Sequence, residues 1–156
     1  MPRSISCVLL LISLASPPVN CSQAEDKLTW EKLEDKSARM NDYAKDFHSI
    51  SRANIANDTE FNNSVTVEAE AGHLADTLHS ASSMVRVYSL LSCEEDRARV
   101  KPLIDAELRR HAQMIDYAAQ HADLAIAHAQ SVGLAATARR FKEELRGIEA
   151  LLRMQY

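Results

Sequence analysis

The sequence is poor in the residues that turn a chain, with three glycines and four prolines among 156. A sheet of several strands needs a turn between each pair, and those turns draw on Gly, Pro, Asn and Asp. A predominantly β fold is therefore excluded, and helix formers such as Ala, Leu, Glu and Arg fill the chain instead. Cysteine is equally sparse. Cys7, Cys21 and Cys93 make no disulfide framework, and without CxxC or CxxCH spacing they offer neither a zinc knuckle nor a covalent haem attachment. Positive charge is not in excess: the formal net charge is −4, where a nucleic-acid-binding domain should be basic. No apolar run is long. The stretch from Ile5 to Ala15 falls well short of the ~20 residues that span a bilayer as a helix. HExxH, GxSxG, a P-loop and a glycine-rich dinucleotide turn are all missing, which points away from an enzyme.

What is present begins with residues 1–24, which have the order of a secretory signal peptide. Arg3 supplies the positive start, Ile5 to Ala15 the short apolar stretch, and Ser13-Leu14-Ala15 and Ser22-Gln23-Ala24 two small-x-small cleavage sites. The expectation is export, to a secreted or periplasmic location, with membrane contact only if that segment is retained. Pro18, Val19 and Asn20 do not make the run expected before a lipidated cysteine. Cleavage after Ala15 leaves Cys21 and Cys93 able to pair, and cleavage after Ala24 leaves Cys93 alone. Residues 25–156 are then expected to form one domain, since that length holds one real core and not two.

Within that domain four segments carry apolar residues at alternating steps of three and four, which places each set on one helical face. The first runs over 26–56 through Trp30, Leu33, Ser37, Met40, Ala44, Phe47 and Ser51. The second runs over 65–91 through Val67, Ala71, Leu74, Leu78, Ala81, Val85 and Tyr88. The third is the longest pattern, 102–132, through Ile104, Leu108, His111, Ile115, Ala118, Ala122, Ala125, Ala129 and Val132. Its first half is bulky and its second half is alanine, so a neighbour can approach that half closely. The fourth, over 134–155, uses Leu134, Ala138, Phe141, Leu145, Ile148 and Leu152, with Gly147 read as a possible close backbone contact. The links are expected at the Asn-rich stretch 54–64, at a capping box from Ser92 to Glu95, and at Gly133 as a helix C-cap. A short charged turn of helix is expected over 93–100 before Pro102 resets or kinks the chain. The predicted fold is all-α: an up-down-up-down four-helix bundle with a shorter last helix, preceded by a cleaved signal peptide. Asn20-Cys21-Ser22, Asn57-Asp58-Thr59 and Asn62-Asn63-Ser64 also match the N-glycosylation acceptor pattern.

Six histidines carry the only chemistry in the sequence. Glu70 and His73 have the Glu-x-x-His spacing of di-iron bundles, one face of one helix. If the link between the second and third helices is centred near residue 97, His73 faces His121. Links near 60 and at Gly133 then bring His48 and Glu144 to the same height. Glu70, His73 and His121 are therefore the candidate metal ligands, suited to zinc or iron. Against them, each sits one position off its apolar face, and the second Glu-x-x-His of a ferritin-like site is missing. Centring the link at Ser92 would bring His73 to His111 instead, and His111 lies on the apolar face as a core histidine. Two functions follow. One is a noncatalytic exported bundle, needing no cofactor, that binds another protein or a second copy of itself. The alternative is a metal- or haem-binding bundle with a redox or storage role.

Overall fold

The computed structural model describes residues 27–53 and 57–156. It consists of four helices, α1 (Trp30–Ala53), α2 (Asp58–Leu90), α3 (Glu94–His128) and α4 (Val132–Leu152), with no strand among the described residues. The fourth helix is the shortest, at 21 residues against 35 for α3. Among the described residues no helix is long and apolar enough to cross a membrane.

Each helix packs on the one before it, α4 returns to α1, and α1 with α2 is the most extensive pair. Contacts between side chains show that neighbours are antiparallel. Ser37 and His48 of α1 meet Ala75 and Glu68 of α2, while Glu60 and Glu70 of α2 meet Ser131 and His121. Lys142 of α4 meets Asp123 of α3, and Lys36 of α1 meets Glu144 of α4. The result is an up-down-up-down helical bundle around one hydrophobic cluster.

The apolar faces read from the sequence form that cluster. Leu33, Met40 and Phe47, Val67 to Val85, Ile104 to Ala125 and Leu134 to Leu152 are buried on their respective faces. Volume is matched across it. The Lys142–Asp123 pair sets Phe141 at the height of the alanine half of α3, and there Phe141 packs edge-to-face on Phe47 and Tyr43 at 5.6 and 5.4 Å. Two large rings on α1 and α4 thus fill space that Ala122 and Ala125 leave.

The links differ from expectation, each for a local reason. The Asn-rich stretch is mostly helix: α2 begins at Asp58 because the Asn57 side chain accepts the Glu60 N–H at 2.9 Å and caps it. Ser64, read as part of a connection, is buried and donates its hydroxyl to the Phe47 carbonyl at 3.2 Å. Between α2 and α3 the N-cap is Cys93, with no side-chain cap bond, and not Ser92 of the capping box. The helix then runs unbroken through Pro102, whose exposed position leaves its missing hydrogen bond on the solvent side. Gly133 does not cap α3. It lies in the first turn of α4, without a positive φ, after the Ser131 hydroxyl has accepted the Leu134 N–H at 3.2 Å. Val132, placed on the apolar face by spacing alone, is 85% exposed because the chain has left that helix by Ala129. Gly147 has no close backbone neighbour: a methyl group there would meet only Lys36 Nζ at 3.8 Å. Residues 1–24, read as the signal peptide, lie outside the described residues.

Candidate functional site

The register decides what the histidines meet. Glu60 faces Ser131 and Glu70 faces His121, so the α2–α3 link is centred between residues 95 and 96. That falls between the two centres considered from sequence, 92 and 97, and it replaces His73 by Glu70 as the partner of His121. The Glu70 carboxylate lies 3.3 Å from His121 Nδ1, with both side chains about one-fifth exposed. That approach lacks hydrogen-bond alignment, leaving Nδ1 buried without a bonded partner, so it is an ion pair only when the ring is protonated. Tyr117 packs edge-on against the same ring at 4.3 Å. His73, one helical turn on, is exposed. His48 is drawn to Glu68 at 2.8 Å, and Glu144 is engaged by Lys36 and Arg39 at 2.6 and 3.4 Å. Two of the three candidate ligands, Glu70 and His121, are brought together and the third is not. Among the described residues no group of three His, Cys, Asp or Glu side chains is placed to hold a metal ion.

His111 sits in the core as its position on the apolar face requires, with none of its surface exposed. Its Nδ1 lies 2.6 Å from the Glu107 carbonyl. A carbonyl only accepts, so Nδ1 carries the proton and a neutral ring keeps a bare lone pair on Nε2, which is buried without a partner.

A second site forms where the sequence gave no motif. The antiparallel order gathers the start of α1, the end of α2, the start of α3 and the residues after α4 at one end of the bundle. There a cavity of about 410 Å³ is lined by Leu28, Trp30, Val85, Tyr88, Arg97 and Tyr156, with Thr29, Glu31 and Ser89. A main-chain bond from the Leu28 N–H to the Gln155 carbonyl, 2.7 Å, ties the segment before α1 to the segment after α4. The Tyr88 and Tyr156 rings meet edge-to-face at 5.2 Å. Each ring carries a cation of the protein: Arg86 over Trp30 at 5.0 Å, Arg97 over Tyr88 at 6.0 Å, and Lys101 over Tyr156 at 4.7 Å. The Tyr156 hydroxyl donates to Asp105 at 2.7 Å. Burial and that bond raise the Tyr156 phenol far above the usual tyrosine range, and the same bond, then Lys101, lowers the Asp105 carboxyl. Trp30 and Tyr88 read as core from their spacing. The signal that could have found them is position: aromatic residues at a helix start, a helix end and beyond the last helix are stacked by antiparallel order alone.

No family model matches the chain, and neither does any curated protein or solved structure. The described residues define it only as all-helical, with four helices.

Proposed function

We propose that the chain is exported and that its helical body is a noncatalytic module that binds another protein or a second copy of itself. The observation that carries this reading is where the exposed apolar side chains fall. Among the described residues, the exposed large hydrophobic side chains other than Val132 all stand on α2 or α3, among them Met84, Val87, Leu90, Leu103, Tyr117 and Leu124. Random exposure would spread them over four helices, whereas apolar residues gathered on two adjacent ones mark an interaction face. The charge split supports an oriented partner: residues 25–96 carry 15 acids and 7 bases, and residues 97–156 carry 7 acids and 10 bases. Sedimentation velocity across a hundredfold concentration range, on wild type and on Leu90→Asp/Leu103→Asp, tests the self-binding form. Association that the paired substitution abolishes supports it. A monomer throughout removes it and leaves the face for a different protein.

Export rests on Arg3, the Ile5–Ala15 stretch and the two small-x-small sites. Sequencing the mature N-terminus should give Ser16 or Glu25, and a protein still starting at Met1 contradicts it.

The metal-binding alternative keeps one favourable observation, the approach of Glu70 to His121. It needs a third ligand, and a rotamer change at His73 is the nearest source on the same helix. Melting temperatures with and without zinc, for wild type and His73→Ala, decide it. A metal-induced rise that the variant loses supports the site, and equal curves remove it.

A further inference from the structure

The end cavity is a shaped site with a consistent chemistry, lined by residues other than those invoked for protein binding. Three aromatic rings with Leu28 and Val85 make most of its wall, and its volume falls in the ~300–1,000 Å³ range of small-molecule sites. The rings are only half-buried, so they offer edges and faces to an incoming group. A cationic ligand is disfavoured, because Arg86, Arg97 and Lys101 already stand over the three rings and would repel it.

Charge on the cavity's border is divided. Glu31 also borders the groove between α1 and α4, whereas Arg97 and Tyr88 also border the surface beside Ser92, Glu94 and Lys101. Within the cavity itself the one acid, Glu31, stands toward the α1–α4 side and the one cation, Arg97, toward the α2–α3 side. Glu94 borders the outer surface there without pairing with Arg97. Arg97 is the cation among the lining residues. It spends its Nε on the Leu91 carbonyl at 2.6 Å, which fixes the plane of the guanidinium. Among the described residues no carboxylate pairs with it and no bond is made by its terminal nitrogens, nor does a carboxylate pair with Arg86. An oriented guanidinium with two free donor groups beside an aromatic wall suits a carboxylate or sulfonate.

We infer that this cavity binds a small aromatic anion, its ring system among Trp30, Tyr88 and Tyr156 and its carboxylate or sulfonate on Arg97. Leu28 and Tyr156 both line the cavity, so binding also fastens the Leu28–Gln155 tie beside it.

The test uses two fluorescent probes of one shape, 8-anilinonaphthalene-1-sulfonate and the uncharged N-phenyl-1-naphthylamine. The protein is used as recovered from its host. Trp30, the sole tryptophan, reports from inside the cavity. The sulfonate should saturate at one per chain, change Trp30 emission, and bind at least about tenfold more tightly than the neutral probe. Arg97→Gln should erase that preference and Arg97→Lys should keep part of it. Ser89→Phe, at an exposed lining position, should weaken both probes by occupying the cavity. Circular dichroism melts of each variant show that the fold is intact. Equal affinity for the two probes, or a preference that Arg97→Gln leaves unchanged, overturns the anion assignment. Binding untouched by Ser89→Phe, or without a Trp30 response, overturns the cavity as the site.

Discussion

The two ends of the bundle are closed in opposite ways. At one end Glu60, 2% exposed, reaches from α2 to accept the Ser131 N–H at 2.8 Å, just before α4 begins. Asn57 caps α2 there, and Ser51 and Ser64 return their hydroxyls to α1 carbonyls. Asn57 and Glu60 thereby accept from N–H groups at helix starts, the two serines pair their own hydroxyls, and the alanine half of α3 with Phe47 and Phe141 fills the space above them. At the other end aromatic rings from three segments lean together over a cavity, and the polar contacts lie around its edge. Hydrogen bonds to helix ends need close fit and leave no room, whereas large rings meeting edge-to-face leave a gap. The first end is built to hold, and the second has space to take something in.

The largest expected effect lies at the closed end. Glu60→Ala should cost about 2–4 kcal/mol in a denaturant melt, because it leaves the half-buried Ser131 N–H without its acceptor and opens a cavity where the buried Glu60 side chain lay. Glu60→Gln keeps a carbonyl acceptor and should stay within about 1 kcal/mol of wild type. If both variants melt like wild type, the clamp contributes nothing and the contrast between the ends fails.

Next comes the filling of the space between the ends. Ala122 is fully buried, so Ala122→Leu should overpack and cost about 1–3 kcal/mol. An unmoved midpoint would mean that the alanine half of α3 does not meet the Phe141 layer. Smaller still, Gly147→Ala should stabilise by about 0.5–1 kcal/mol, since the position is exposed, helical and free of close backbone. A loss there would restore the close contact that the sequence suggested.

The open end has a spectroscopic signature. Absorbance at 295 nm during alkaline titration should show Tyr156 ionising far above the ordinary ~10, and Tyr43 above it as well. Asp105→Asn should move the Tyr156 phenol back toward that value. The signs follow from linkage. A raised phenol holds its stabilisation below ~10 and loses it only as pH rises through the folded value. The lowered Asp105 holds its share above ~3.9 and loses it as pH falls through its folded value. Both groups are largely solvent-screened, so the stability change is small and the titration is the better measure.

The four apolar faces were legible because three-four spacing survives any choice of link. The links and the register were not. A seven-residue pattern reads the same after a slide of one repeat, so caps fix the height, and caps are single residues. Asn57 was hidden among five other polar turn formers, any of which could have ended the connection. A centre between 95 and 96 instead of at 97 moved the pairing by about one helical turn, enough to give His121 to Glu70 and leave His73 in solvent. His111 was legible as core because it occupies the apolar face itself. The aromatic cavity left no local pattern, since Trp30, Tyr88 and Tyr156 lie far apart in sequence and meet only through antiparallel order.

Amide hydrogen exchange read by mass spectrometry tests the contrast between the ends most directly. Peptides covering Glu60–Ser64 and Ser131–Leu134 should exchange slowly, while those covering Leu28–Glu31 and Leu152–Tyr156 exchange faster. Adding 8-anilinonaphthalene-1-sulfonate should slow the second pair and leave the first unchanged. Equal protection at the two ends, or slowing at the Glu60 end, would contradict the account.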